Sequence, residues 1–170
     1  MALPTETVYG LAGRVGSKQA LNTIFETKAR PFFDPLIMHV SDFSMAKEWA
    51  HFDLVSANLV KEFWPGPLTV VLPKKENVPD LVTNGGPTVA LRSPAHETFQ
   101  SLLDKLGEPL AAPSANMFGK TSPTTAEHVV DEFNGKVAVV NGGPCRGGIE
   151  STVVETVSYT HLTLPTKRIV

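Results

Sequence analysis

Thr5, Thr7, Lys28, Arg30, His39, Arg92, Ser114, Asn116, Ser122, Glu150, Ser151 and Thr152 stand in segments punctuated by glycine and proline, the setting in which loops present side chains to ligands. Two arginines and a lysine supply positive charge for a triphosphate, and the planar fork of arginine suits bidentate contact with phosphate or carboxylate. The hydroxyls and the Asn116 amide can orient a small polar substrate. Other chemistries lack their residues: there is no Ser-His-Asp spacing, no cysteine or histidine cluster for a metal and no evident carboxylate pair. Gly119-Lys120-Thr121 ends like a phosphate-binding P-loop, yet Ser114 occupies the place of its first glycine and no strand-loop-helix frame surrounds it. The residues alone describe an α/β protein that binds a small anionic ligand. Plainer roles stay open for several of them. Lys28 and Arg30 complement the dipole at a helix end, His39 can be a core histidine, and Ser151-Thr152 can simply begin a strand.

The elements that must position these residues follow from periodicity. Apolar residues at Ala20, Leu21, Ile24 and Phe25 predict an amphipathic helix over Ser17–Ala29, ended by Pro31. Leu36–Val40 reads as a buried strand. Ser44–His51 and Leu54–Trp64 read as helices, the second with Val55, Leu59, Val60 and Phe63 on one face and stopped by Pro65-Gly66-Pro67. Leu68–Leu72 and Thr88–Leu91 are strands joined by a connection that ends in Gly85-Gly86-Pro87. Phe99, Leu102, Leu103 and Leu106 mark a helix that Gly107 closes. Pro109–Ala112 is a short strand before Pro113-Ser114-Ala115-Asn116. Thr124 and Glu127 form a capping box for a helix that buries Ala126, Val129, Val130 and Phe133. Val137–Val140 and Ser151–Val154 complete the strands. Interleaved helices and strands without a repeat predict an α/β domain with a mixed sheet, and the polar clusters fall just after strands, where open α/β sheets place ligands.

With 170 residues, 42% hydrophobic and 19% charged, the chain can bury a core without a disulfide or metal staple. A formal charge of -2 gives no bulk attraction to nucleic acid. Cys145 is the single cysteine and reads as a small residue packed beside glycines. No apolar run spans a bilayer and the start lacks a signal-peptide pattern, so the expected location is the cytoplasm, with no membrane partner.

Seven blocks now stand in order: Pro4-Thr5-Glu6-Thr7-Val8-Tyr9-Gly10-Leu11, Lys28-x-Arg30-Pro31, Pro35-Leu36-Ile37, Trp64-Pro65-Gly66-Pro67-Leu68-Thr69, Ala90-Leu91-Arg92-x-Pro94, Ala112-Pro113-Ser114-Ala115-Asn116 and Glu150-Ser151-Thr152-Val153. Together they resemble the YrdC family, the threonylcarbamoyl-AMP synthases. The resemblance implies a single YrdC-like domain over 1–157, a twisted mixed β-sheet flanked by helices around a positively charged concave cavity. It implies a reaction in which L-threonine, bicarbonate and ATP give threonylcarbamoyl-AMP and pyrophosphate, with Mg²⁺ accompanying the nucleotide. A further protein complex would then carry the group to the adenosine beside the anticodon of tRNA. By the same resemblance, Thr7, His39, Arg92, Ser114 and Ser151 hold threonine. Arg30, Thr88, Ala112 through its backbone, Asn116 and Ser122 hold ATP, and Asp34 stands where the family often has an asparagine that contacts ATP. Lys28 and Arg30 meet the reacting phosphates as the catalytic pair.

The sequence departs from the family pattern at both ends. Family members usually carry a helix and a strand ahead of the opening block, so one sheet edge is expected to be missing. Residues 158–170 replace an expected arginine-proline-glycine segment and read as a tail foreign to the family. Two other readings compete with the synthase. One is a module that binds tRNA or double-stranded RNA without catalysis. The other is a carbamoyl-adenylate-forming domain related to hydrogenase maturation.

Overall fold

The structure, a computed structural model, describes residues 1–29 and 34–156. Its frame is a six-stranded mixed sheet in the order β3-β7-β4-β6-β5-β8, comprising β3 (Gly13–Arg14), β4 (Ile37–His39), β5 (Leu68–Pro73), β6 (Thr88–Arg92), β7 (Leu110–Ala111) and β8 (Thr152–Glu155). A separate antiparallel pair joins β1 (Ala2–Leu3) to β2 (Gly10–Leu11). Strands β4 and β6 run parallel, as do β5 and β8, while β5 and β6 are antiparallel. The mixed α/β architecture expected from the sequence is the one observed.

Successive strand residues point to opposite faces of a sheet, and that alternation divides the molecule. Met38, Val70, Leu72, Val89, Leu91 and Ala111 enter the main apolar cluster with Leu21, Ile24 and Phe25 of the first helix, α1 (Lys18–Lys28). The alternate residues Ile37, His39, Ala90 and Arg92 share the other face, with His39 registered against Arg92 and Ile37 against Ala90. There a smaller cluster packs Phe99 and Leu103 of α5 (Glu97–Leu106) on Leu3, Ala12, Leu110 and Ala112.

Helix α1 starts where Ser17 accepts a hydrogen bond from the Ala20 N–H, an N-cap that satisfies a free amide of the first turn. Its buried stripe is Leu21, Ile24, Phe25 and Lys28, the i, i+3, i+4, i+7 spacing of one helix face. The lysine is therefore directed inward with the core residues. At the other cap Ala29 is left-handed, with φ 49°, a conformation that disfavours any residue with a Cβ.

Several sequence expectations need correction. The helix α3 (Leu54–Phe63) buries Ser56 and Val60, not the stripe through Val55 and Phe63, which are 55% and 54% exposed. Its rotation follows from the cap, where Asp53 accepts from the Ser56 N–H and the Ser56 hydroxyl accepts from the Asp53 N–H, which turns Ser56 to the protein side. The cap of α6 (Ala126–Glu132) is Thr125, which accepts from the His128 N–H, so the box on Thr124 and Glu127 does not form, and Val130 is exposed. Val137–Val140 is no full strand, since only Val139 bridges, to Ala2. Helix α2 is confined to Phe43–Lys47, and α4 (Asp80–Thr83) is an unexpected turn of helix within the connection between β5 and β6.

Candidate functional site

The opening stretch is a wall, not a loose loop. Pro4, Thr5 and Val8–Leu11 are buried, and distant segments hold the wall by backbone hydrogen bonds. The Tyr9 N–H donates to Pro123 O and the Leu11 N–H to Pro113 O, while Ala115, Gly147 and Gly148 donate to the carbonyls of Tyr9, Glu6 and Thr7. Within it the Thr5 hydroxyl donates to Val8 O at 2.7 Å, accepts from the Thr7 and Val8 amides, and lies 2.9 Å from the Thr7 hydroxyl. Because Thr5 spends its proton on Val8, the shared bond with Thr7 takes its proton from Thr7.

Between this wall and the alternate face of β4 and β6 lies a cavity of about 200 Å³. Thr5, Val8 and Gly10 line one side, Ile37, His39 and Arg92 the floor, and Ala112, Pro113 and Ser114 another side, with Glu150 and Ser151 completing it. Larger hollows occur, of about 390 Å³ beside α1 and about 510 Å³ beside Lys136. Neither of these two has a buried polar atom left without a partner on its walls, whereas among the described residues His39 Nδ1 and Arg92 Nη2 at the smaller cavity both lack a hydrogen bond, as does Asn116 Oδ1 at a neighbouring hollow of about 330 Å³. Chemistry, not size, selects the site.

Arg92 is 4% exposed. Its Nε donates to Gly66 O at 3.3 Å, and its Nη2 lies 2.7 Å from Glu6 Oε1. That second approach is off the axis of a hydrogen bond and acts as an ion pair. Gly66 can face Arg92 this way because its turn is tight, and a Cβ there would stand 2.2 Å from Phe63 O. The segment Trp64–Pro67, which reads as architecture, thus supplies the carbonyl that holds the cation. His39 sits beside Arg92 and stacks on Phe99 with ring centroids 5.1 Å apart. Burial first, and the Arg92 charge second, push its pKa from 6.5 down to about 3, so it offers a neutral imidazole. Ser151 shares a 2.7 Å hydrogen bond with Thr69, which is wholly buried on β5.

The remaining residues singled out in the sequence fall elsewhere. Lys28 Nζ donates at 2.5 Å to both Ser114 O and Asn116 O, so the ammonium fastens the loop that forms one cavity side. Asn116 is held by bonds from its amide to Met117 O and Lys120 O, and with Ser122 it lines a second hollow of about 330 Å³. Ser122 donates at 2.6 Å to Glu150 Oε1, which links the two spaces. Asp34 precedes the cavity residue Pro35. Thr88 begins β6 four residues before Arg92, about 13 Å along the strand, and does not line the cavity. Arg30 and the 158–170 tail lie outside the described residues. Cys145 is half-buried, and burial pushes its thiol pKa up, away from a nucleophilic thiolate. No helix among the described residues is long and apolar enough to cross a membrane.

Glu6 and Thr69 contribute to the site without having been singled out. Thr69 had a signal, a lone polar residue at an alternate position in an otherwise apolar strand. Glu6 had a weaker one, a carboxylate between two threonines in a stretch that is otherwise buried.

The Sua5/YciO/YrdC family model, described as "Telomere recombination", matches residues 1–164. The threonylcarbamoyl-AMP synthase of Pyrococcus abyssi (strain GE5 / Orsay) is 47% identical over 161 residues, 94% of this chain and 47% of that protein. That of Bacillus subtilis (strain 168) is 45% identical over 157 residues, 91% of this chain and 45% of that protein. The chain thus spans about half the length of these curated relatives. The crystal structure of Pyrococcus abyssi Sua5 complexed with L-threonine superposes with a TM-score of 0.89 at 47% identity, covering 94% of this chain and 47% of that one.

Proposed function

Because the chain belongs to the Sua5/YciO/YrdC family, we propose that it makes threonylcarbamoyl-AMP and pyrophosphate from L-threonine, bicarbonate and ATP. The observation that carries this reading is the pairing of a buried arginine with a neutral histidine on the floor of an amino-acid-sized cavity. A free guanidinium edge suits the threonine carboxylate, while the Ser151 hydroxyl and the Ser114 backbone and side chain can meet its polar groups, and Thr5, whose hydroxyl is spent within the wall, shapes that side of the cavity. Thr7 would act through Thr5, to which it is bonded.

In the reaction the threonine nitrogen attacks bicarbonate and water departs, leaving a carbamate. A carbamate oxygen then attacks the α-phosphorus of ATP, the bond from the α-phosphorus to the bridging oxygen breaks, and pyrophosphate leaves. Such transfer is accelerated by alignment and charge neutralisation and needs no covalent nucleophile. The cavity of about 200 Å³ falls below the roughly 300–1,000 Å³ of ligand pockets in general. The nucleotide would therefore extend past Ala112 toward Asn116, Ser122 and Asp34, with Arg30 and Lys28 at its phosphates and the cleft positive in character. Lys28 would serve there chiefly by fixing the Ser114–Asn116 backbone, and Thr88 would have only a remote part. Among the described residues no group of three or more His, Cys, Asp or Glu could hold a metal, so Mg²⁺ would arrive on the triphosphate as part of the substrate.

The product, a mixed anhydride, would be consumed in the cytoplasm by a separate transferase complex acting on tRNA. The test is pyrophosphate release from ATP by the purified chain. Release that requires both threonine and bicarbonate is expected, and release indifferent to threonine would refute the assignment.

A further inference from the structure

We propose that Glu6 is a positioning residue for amino-acid binding, holding the Arg92 guanidinium from behind so that its free edge faces the substrate carboxylate. The inference rests on the amino-acid site proposed above and goes beyond it to a residue outside the cavity lining. Arg92 lines the cavity and Glu6 does not, so the ion pair between Nη2 and Glu6 Oε1 approaches the guanidinium from the wall side. Gly66 O takes the Nε proton. With five N–H groups on a guanidinium, these two contacts fix its plane and leave the N–H groups on Nη1 for a ligand.

The anchor is itself anchored. The Glu6 backbone carbonyl accepts from the Gly147 N–H at 2.8 Å, and a Cβ at Gly147 would press on that oxygen at 3.2 Å. The side chain is 14% exposed, and neither carboxylate oxygen has a hydrogen bond among the described residues. A carboxylate kept in so dry a place with one cation beside it among the described residues is costly, and a merely structural filler would be better served by an apolar side chain. The arrangement gains its use when a second carboxylate arrives. The guanidinium then lies between two anions, one from the wall and one from the substrate, and its orientation is set before the substrate enters.

The experiment measures threonine and ATP affinity separately by titration calorimetry on Glu6→Ala, Glu6→Gln and Arg92→Ala, with thermal melts alongside. Arg92→Ala is expected to abolish threonine binding, and Glu6→Ala to weaken it about tenfold with ATP affinity within about twofold. Glu6→Gln keeps the shape but removes the charge of the ion pair, so it should bind threonine about as weakly as Glu6→Ala. If Glu6→Ala binds threonine like the wild type while Arg92→Ala does not, the positioning role is overturned and the amino-acid site stands. If both affinities fall together with the melting temperature, or Glu6→Gln binds threonine like the wild type, the role is likewise overturned. If Arg92→Ala binds threonine normally, the amino-acid site itself is wrong, and the role of Glu6 falls with it.

Discussion

The two ends of the cleft are built by different means. At the proposed amino-acid end, His39 and Arg92 project from neighbouring strands in fixed register, and Thr69 on β5 steadies Ser151. At the proposed nucleotide end, Asn116 and Ser122 stand on connections between β7 and α6, held by Lys28 and by a few local side-chain bonds. A sheet sets side chains by backbone hydrogen bonds that many residues share, whereas a loop depends on a few local partners. The first end should be rigid and intolerant, the second more forgiving.

Substitutions can break or sharpen that contrast. Arg92→Ala should be the most severe, because it strands the Glu6 carboxylate in a buried place, a loss of about 3–5 kcal/mol when one partner of a buried pair is removed. Denaturant unfolding would measure it. His39 comes next and carries a pH signature. Its folded pKa lies near 3 and its ordinary value is 6.5, so the unfolded chain takes up the proton first as pH falls. The stability it contributes is complete above about 6.5 and drains away between 6.5 and 3, on the order of a few kcal/mol. His39→Asn should flatten that part of the stability curve, and a slope equal to the wild type would remove His39 from the account.

Lys28→Met should cost about 2–3 kcal/mol by leaving the Ser114 and Asn116 carbonyls without their donor. Its melt should fall while threonine affinity drops more than a peripheral residue would explain, since Ser114 lines the cavity. Ser151→Ala should cost about 1 kcal/mol, a fivefold loss in threonine affinity, with little change in melting. Ser122→Ala should do least, well under about 1 kcal/mol for an exposed hydrogen bond to Glu150, and should touch ATP affinity alone. Equal effects of Ser151→Ala and Ser122→Ala on threonine would erase the proposed difference between the ends.

The sequence made the α/β class and most elements legible because apolar periodicity survives in single segments. The Ser17 start and the Gly107 stop were readable as local chemistry, and Gly107 does take a left-handed φ of 62°. What escaped depends on partners far along the chain. Val55 and Phe63 satisfied a helical stripe, yet the Asp53–Ser56 cap rotates that helix the other way. Lys28 could be read as a cation that complements the dipole at a helix end, although its i+7 relation to Leu21 puts it on the buried face. His39 and Arg92 could each be singled out, but only the parallel register of β4 and β6 makes them neighbours. Glu6 needed that neighbour to acquire a purpose.

The wall that opens the chain also constrains how the protein comes into being. The Tyr9 hydroxyl donates to Gly143 O across 134 residues and accepts from the Gly142 N–H across 133, and no Cβ would fit at Gly142, where it would stand 2.5 Å from Pro4 Cγ. Pairings that close such long loops form late and slowly. During synthesis the wall must therefore wait, largely unpartnered, until partners 133 and 134 residues further along have emerged, and binding competence should appear in a single step instead of growing with chain length.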